Sequence, residues 1–156
     1  MTLPLDAADL VILRLFQEDS TTPIRALAEA AELSVPSVQR RLRRLREGGV
    51  IEREIGVLAP SALGVAMTFI VLVELERERL DQLDAFRRRA LRDPNVQQCY
   101  YITGEADFVL ICLARDMAGF EALTQRLFFA DENVRRFRTS VVLSRTKVGL
   151  SLPIGE

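Results

Sequence analysis

The sequence has no histidine among its 156 residues, so the side chain that most often serves as a general base or a metal ligand is missing. Its two cysteines, Cys99 and Cys112, lie in apolar runs, which predicts buried free thiols rather than a disulfide framework. No CxxC, HExxH, GxSxG or Walker pattern occurs. Acids and the lysine remain available for chemistry, but nothing in their spacing indicates catalysis. We therefore expect a protein that is not an enzyme and that holds no metal or cofactor.

Long apolar runs are also missing. The longest, residues 65–73, is shorter than the roughly 20 residues that a membrane-spanning helix requires, and the N-terminus has no signal-peptide pattern. The formal net charge is only −1, so the charge balance by itself gives no indication of a nucleic-acid partner. We expect a cytoplasmic protein without membrane association.

What the sequence does contain is a local concentration of positive charge. Residues 33–46 include five arginines and no acidic residue, and a local field rather than net charge attracts a polyanion. Ser34 is a suitable N-cap, Pro36 is tolerated near a helix start, and Gly48 with Gly49 predicts the helix end. An apolar stripe is predicted along one side of this helix, at Val35, Val38, Leu42 and Leu45. The opposite side carries Pro36, Ser37, Arg40 and Arg44, flanked by Arg41 and Arg43.

The segments around the basic helix favour DNA binding over the alternative, an ordinary solvated face. A first helix is predicted to begin after an N-cap at Asp6, with core positions Leu10, Ile12, Leu13 and Phe16. A second helix is predicted over residues 24–31, with Thr22 as its N-cap and Pro23 at its first position. Residues 50–58 predict a short two-stranded wing. Helix, helix, basic helix and wing in this order predict a winged helix-turn-helix.

The second half of the chain has a different pattern. We expect residues 1–58 to form the DNA-binding domain, residues 59–64 a linker and residues 65–156 a second domain. The strands predicted in this second domain are residues 66–75, 96–102, 108–114 and 134–143, with a short tail strand around Val148. Apolar residues at helical spacing predict two helices between these strands, over residues 80–91 and 120–128. The order β-α-β-β-α-β is that of a ferredoxin-like sandwich, so the fold class is α+β.

Two of these strands are apolar on both faces. Residues 69–73 and 108–113 do not alternate between apolar and polar side chains, as a sheet with one wet face would. Because two helices cover only one face, something else must bury the other. The same sheet of a second subunit would do so in an isologous homodimer, which would also pair two helix-turn-helix units on DNA. The alternative is that residues of the DNA-binding half or of the tail cover this face within one chain.

Several short motifs are similar, in their order and spacing, to those of one family. They are Leu5–Asp9, Leu33-Ser34, Arg40–Leu42, Gly49–Ile51, Leu63-Gly64, Thr103–Phe108, Thr139-Ser140 and Lys147. The family they resemble is Lrp/AsnC, the feast/famine transcription regulators of bacteria and archaea. The resemblance implies an N-terminal winged helix-turn-helix, a C-terminal ligand-sensing domain, dimers that often assemble to octamers, and a response to a free amino acid. One departure is the segment 20–23, where many relatives place a Gly-Arg pair.

Double-stranded DNA is the partner that the first half predicts. Ser37 and Arg40 lie near the exposed N-terminal end of the basic helix, and we expect them to read base edges, since arginine pairs bidentately with guanine. Arg41, Arg43 and Arg44 are expected to hold phosphates, which position a protein without specifying sequence. Arg46 lies nearer the apolar stripe, so we expect a structural role for it.

The resemblance places an amino-acid pocket at the loop of residues 103–107, between subunits. Gly104 allows backbone N–H groups to approach a carboxylate closely, and Asp107 can accept a charge-assisted hydrogen bond from an α-ammonium group. The candidate effector-binding residues are Tyr101, Thr103, Gly104, Glu105, Ala106, Asp107, Thr139 and Ser140. The alternative is an ordinary hairpin turn, in which glycine and aspartate serve only the backbone shape.

Together these patterns predict a sequence-specific transcription regulator whose assembly or DNA binding responds to a small effector, an amino acid by resemblance. A second hypothesis is an architectural protein that wraps or bridges DNA without any effector. A third is an enzyme or regulatory subunit that uses the ferredoxin-like half in metabolism, against which the missing histidine and catalytic spacing argue.

Overall fold

The computed structural model describes residues 3–155 and divides into two compact units. The first unit comprises the chain up to Val57 together with the segment from Lys147 onward, and the second unit comprises Leu58–Thr146. None of the helices in residues 3–155 has the length and apolar character needed to cross a bilayer.

Three helices build the first unit: α1 (Ala7–Glu18), α2 (Ile24–Ala30) and α3 (Val35–Glu47). Asp6 caps α1 in a reciprocal capping box, in which its carboxylate and that of Asp9 each accept a hydrogen bond from the other's backbone N–H. Ser34 caps α3 as predicted, with its hydroxyl oxygen 3.4 Å from the backbone nitrogen of Ser37. The core of the unit is a small cluster made of Ile12, Phe16, Leu27, Ala28, Val38 and Leu42.

The prediction for the start of α2 was wrong. Pro23 occupies the N-cap position and provides no side-chain cap. The hydroxyl of Thr22 instead donates to the carbonyl oxygen of Asp19 at 2.7 Å. The helix begins on the Pro23 carbonyl oxygen, which accepts from the backbone N–H groups of Ala26 at 2.8 Å and Leu27 at 3.2 Å.

The two-stranded wing predicted over residues 50–58 does not form as strands. The backbone N–H groups of Val50 and Ile51 donate to the carbonyl oxygen of Leu45, which ends α3, and residues 52–58 donate no backbone hydrogen bond in the described chain. Val57 is 91 % exposed. The apolar, β-branched ends of this segment suggested strands, but the described chain supplies no strand with which the segment pairs.

The sequence predicted residues 147–156 as part of the second domain. In the structure this C-terminal segment packs on α1 of the first unit. The backbone N–H of Leu152 donates to the amide oxygen of Gln17 at 2.8 Å, and the amide nitrogen of Gln17 donates back to the Leu152 carbonyl at 2.9 Å. Arg14 donates to the carbonyl oxygen of Gly155 at 2.8 Å. The short strand predicted around Val148 does not form, and residues 142–155 contain no strand.

The second unit is a four-stranded antiparallel sheet with two helices. Its elements are β1 (Met67–Leu75), α4 (Leu80–Arg92), β2 (Val96–Tyr101), β3 (Phe108–Ala114), α5 (Met117–Thr124), a π-helical turn (Gln125–Phe129) and β4 (Val134–Val141). A short 3₁₀ turn, Pro60–Leu63, precedes them. The strand order is β2-β3-β1-β4 with every neighbouring pair antiparallel, which confirms the ferredoxin-like topology.

The two faces of this sheet are buried to different degrees. One face packs with both helices, and its buried residues include Phe69, Val71 and Val73 of β1, Phe108 and Leu110 of β3, Phe86 of α4 and Phe120 of α5. Residues of the other face alternate with these along β1 and β3 and are only partly buried. We call the apolar residues of this second face the open face; they are Ile70, Leu72, Val109, Ile111 and Leu113. The strands are therefore apolar on both faces, as the sequence indicated.

Both cysteines are free thiols. Cys112 is buried on the helix-covered face, and burial raises the pKa of its thiol to about 12. Cys99 is half-buried, and burial raises its thiol pKa as well. Neither environment favours the reactive thiolate.

Candidate DNA interface and effector loop

The arginines of α3 fall into two groups. Arg40 and Arg43 are exposed and make no ion pair or side-chain hydrogen bond within residues 3–155. Ser37 lies one turn before Arg40 and is partly exposed. These three side chains are therefore open to a partner.

Arg41 and Arg44 are instead bound to acidic side chains of α1. One terminal nitrogen of Arg41 lies 2.8 Å from Asp9 Oδ1 and 2.7 Å from Asp6 Oδ2, and Arg44 forms a short ion pair with Asp9. The hydrogen bond from Arg41 lowers the pKa of Asp6, and the same contact raises the pKa of Arg41. The sequence predicted both arginines as phosphate contacts; the structure gives them internal counter-charges.

Arg46, for which the sequence predicted a structural role, makes contacts within the first unit. Its Nε lies 2.7 Å from Glu54 Oε1, and its guanidinium stands 5.5 Å from the centre of the Phe16 ring. These contacts connect the end of α3 to the segment that follows it and to the core of the unit.

Arg25 was missed by the sequence reasoning. It lies in α2, is exposed, and forms no ion pair within the described residues. In a helix-turn-helix the first helix crosses the DNA backbone, so an exposed arginine there suits a phosphate. A single basic residue in a short helix is a weak sequence signal, whereas the cluster in α3 was a strong one.

In the second unit, the predicted effector loop is a tight connection between β2 and β3. Gly104 has a φ of 125°, in the region that favours glycine. The Asp107 carboxylate accepts a hydrogen bond from the backbone N–H of Leu75 at 2.6 Å, and the Asp107 N–H donates to the Val73 carbonyl at 2.9 Å. Asp107 thus ties the loop to the end of β1, which is the backbone role that the hairpin alternative described.

The remaining candidate effector residues are not gathered within one chain. Tyr101 ends β2, which is one edge of the sheet, while Thr139 and Ser140 lie on β4, the opposite edge. Thr139 pairs with Val71 and Ser140 with Ile70, so these two side chains point to opposite faces of the sheet. Thr103 and Glu105 are exposed on the loop, whereas Ala106 is buried.

A charged cluster next to the loop was not predicted. Arg136 contacts Glu74 at 2.7 Å, and Arg138 lies 3.4 Å from Glu74 and 3.5 Å from Glu105 of the loop. The hydrogen bond from Arg136 lowers the pKa of Glu74 and raises that of Arg136. Arg136 and Arg138 are two positions apart on β4 and therefore share one face, but no local pattern indicated their acidic partners.

Each unit has an open cleft. One, of about 470 Å³, belongs to the first unit and is bordered by residues that include Phe16, Ile24 and Arg43. The other, of about 440 Å³, belongs to the second unit and is bordered by residues that include Phe129, Arg135 and Phe137. None of the eight predicted effector residues borders either cleft.

Two family descriptions together match most of the chain. Residues 5–52 match a winged helix-turn-helix DNA-binding domain, and residues 68–152 match the Lrp/AsnC ligand binding domain. An HTH-type transcriptional regulator of Sinorhizobium fredii is 40 % identical, over 97 % of this chain and 90 % of that protein. The leucine-responsive regulatory protein of Rhizobium meliloti is 36 % identical, over 92 % of each.

Solved structures agree with the sequence matches. An AsnC family transcriptional regulator from Agrobacterium tumefaciens superposes with a TM-score of 0.88 at 28 % identity, covering 96 % of this chain and 97 % of that one. A transcriptional regulator from Neisseria meningitidis, solved as a complex with L-Met, gives a TM-score of 0.88 at 27 % identity over the same shares. The chain therefore belongs to the Lrp/AsnC family of DNA-binding transcriptional regulators.

Proposed function

We propose that this regulator reads DNA with Ser37 and Arg40 and holds phosphates with Arg43. The observation that carries the proposal is the pair of exposed arginines, Arg40 and Arg43, without acidic partners in the described residues, on a helix-turn-helix whose family binds DNA. The relatives reported above are bacterial proteins, and bacterial DNA lies in the cytoplasm, so we propose the cytoplasm as the compartment of this protein.

The contribution of Arg40 is separable from that of Arg43 by substitution. We expect Arg40→Ala to weaken binding to a duplex selected by the wild-type protein from a random library by about 1–3 kcal/mol, with a smaller loss on the unselected library. Arg43→Ala should weaken both nearly equally, because a phosphate contact carries no sequence information. Equal losses on both duplexes for both variants, in an anisotropy titration, would contradict this division.

We further propose a free amino acid as the effector, bound at the loop of residues 103–107. Support comes from the family match of the second unit and from two relatives, the regulator of Neisseria meningitidis solved with L-Met and the leucine-responsive protein of Rhizobium meliloti. In this proposal the backbone at Gly104 receives the carboxylate and Asp107 the ammonium group. Thr103, Glu105 and Ala106 shape the loop.

The pocket would be completed by a second subunit. Tyr101 lies on one edge strand of the sheet and Thr139 and Ser140 on the other, so one copy of the sheet does not bring them together. Two copies can supply the two sets to one pocket. Effector binding would then be coupled to assembly, since a ligand held by two subunits favours the associated state.

The assembly we propose is a homodimer through the open face, which associates further to an octamer as the family resemblance implies. The open face is a contiguous set of partly exposed apolar side chains, with Ile70 38 % exposed. Charge at its centre should prevent pairing, so we expect Ile111→Glu to sediment as a single chain of 17.6 kDa and the wild type at twice that mass or more. Leu91→Glu, on the exposed side of α4, is the matched control. A wild-type mass for Ile111→Glu would contradict the proposal.

Thermal unfolding in the presence of each of the twenty amino acids tests the effector. A ligand that binds only the folded protein stabilises it by about 2.7 kcal/mol at a hundred times its dissociation constant. Asp107→Asn is the informative variant, since an amide oxygen can still accept from the Leu75 N–H but carries no charge. We expect a shift with one or a few amino acids that Asp107→Asn loses and Asp84→Asn keeps. Intact DNA binding with no shift for any amino acid would favour the effector-independent architectural protein.

A further inference from the structure

The first unit contains a carboxylate that is fully withdrawn from solvent. Asp9, in α1, is 0 % exposed, and it faces α3 rather than the outside of the unit. An ionised carboxylate in such a place must be matched by opposite charge and hydrogen bonds, because burial removes its hydration. Both of its positive partners, Arg41 and Arg44, come from the helix that carries the DNA-facing arginines.

The geometry of Arg41 leaves it little freedom. Its side chain is 22 % exposed, and one terminal nitrogen lies within 2.8 Å of oxygen atoms from both Asp6 and Asp9. Moving this guanidinium to a phosphate would leave the Asp9 carboxylate short of one counter-charge. Arg44 is similarly engaged through Asp9, and its Nε is buried without a hydrogen-bond partner in the described residues.

Arg40 and Arg43 differ from this pair although they are its direct neighbours in sequence. Both are exposed, and the described chain offers neither of them a carboxylate. At positions 40 and 41, and again at 43 and 44, an arginine without an acidic partner is thus followed by one that is paired with Asp9. A surface made simply of solvated arginines would not show this division.

We infer that Asp9 is a positioning residue of the DNA interface, which fixes α3 against α1 through Arg41 and Arg44 and withdraws both arginines from phosphate binding. The inference rests on the proposed DNA binding and reduces the number of α3 arginines that contact phosphates. The phosphate contact that α3 makes then comes from Arg43, and an ion-pair cluster sets the angle at which α3 meets the groove. Asp9 itself touches no DNA.

The salt dependence of DNA binding separates the two roles. Each phosphate contact that is lost reduces the slope of log K against log salt by about 0.9 per subunit. We therefore compare Arg43→Gln with Arg41→Gln, which are the same change on the same helix, on an unselected library and on a duplex selected from it by the wild-type protein. Asp9→Asn, which keeps the size of the side chain, is the third variant.

Arg43→Gln should reduce the slope by about 0.9 per subunit on both duplexes, while Arg41→Gln leaves the slope unchanged. Arg41→Gln should nevertheless lower the ratio of selected to unselected affinity, because α3 is no longer fixed. Asp9→Asn should lower the same ratio and steepen the slope on the unselected library, since it releases arginines. An Arg41→Gln slope reduced as much as that of Arg43→Gln would overturn the inference.

Two controls keep these outcomes distinct. Circular dichroism reports whether each variant is folded, and if Asp9→Asn is not, the comparison between Arg41→Gln and Arg43→Gln decides alone. A wild-type protein that shows no salt-dependent binding to either duplex would overturn the proposed DNA binding together with the inference. Salt-dependent wild-type binding with equal effects of the two arginine variants would overturn the inference only.

Discussion

The two units of this chain hold their helices in place by different means. The first unit has a small apolar cluster and adds to it a fully buried carboxylate, Asp9, with two arginine partners. The second unit relies on a larger apolar core, in which Phe69 stacks on Phe120 with 3.8 Å between ring centres and Phe86 lies 4.7 Å from Phe108. Ion pairs specify direction and distance, whereas apolar packing supplies more stability and less direction.

The strongest test of this comparison is the loss of an aromatic ring from the second unit. Phe86 is 0 % exposed, so we expect Phe86→Ala to lower the free energy of unfolding by about 3–5 kcal/mol, through lost burial and the cavity left behind. Urea denaturation followed by circular dichroism measures the change. Leu91→Ala, on the exposed side of α4, should be nearly neutral. A loss below about 1 kcal/mol for Phe86→Ala would mean that the aromatic core is not what stabilises this unit.

In the first unit, the matching test compares the removal of a buried carboxylate, Asp9, with the removal of an exposed one, Asp6. Asp9→Ala leaves Arg41 and Arg44 without their buried counter-charge, and we expect a loss of about 3 kcal/mol in unfolding free energy. Asp6→Ala removes an exposed partner of the same Arg41 and should cost less. Equal losses would show that helix capping, in which both residues take part, outweighs the buried ion pair.

A smaller effect should appear in the acid stability of the second unit. Burial opposes ionisation of Asp93, but hydrogen bonds from Arg126 and from the Asn95 backbone N–H outweigh it and keep the pKa of Asp93 below its usual value. The stability that this carboxylate contributes is thus present above its unfolded pKa of about 3.9 and is lost as the pH falls through the lowered folded value.

Melting temperatures of Asp93→Asn and wild type should therefore differ near neutral pH and converge as the pH approaches about 2. Asp84→Asn is the matched control, because Asp84 pairs with Arg87 on the surface of α4 at 2.9 Å and both side chains are exposed. A difference for Asp93→Asn that stays constant down to the lowest pH would show that the carboxylate contributes no charge-dependent stability.

Local patterns in the sequence predicted most of the fold. The caps at Asp6 and Ser34, the apolar stripe of α3 and the order of helices and strands along the second unit were all correctly predicted, because each depends on residues close together in sequence. The apolar character of both sheet faces was also visible, since strand side chains alternate.

Contacts between residues far apart in sequence were not predictable in the same way. Asp9 and Arg41 are separated by 32 positions, and helical periodicity assigns each to its own helix without indicating that they meet. The pairing of Asp107 with the Leu75 N–H, and of Gln17 with Leu152, is equally non-local. The prediction of the wing was wrong for a related reason, because apolar and β-branched residues form a strand only where another strand pairs with them, and the described chain supplies none.

The hydrogen bonds between Gln17 and Leu152 join positions that are 135 residues apart. The first unit is consequently discontinuous in sequence, and the second unit is inserted into it. The chain passes between the units twice, after Val57 and before Lys147. A fragment that stops at Val57 would lack the C-terminal segment, from Lys147 onward, that belongs to the first unit. An affinity tag or truncation at the C-terminus would likewise act on α1, far in sequence from where the change was made.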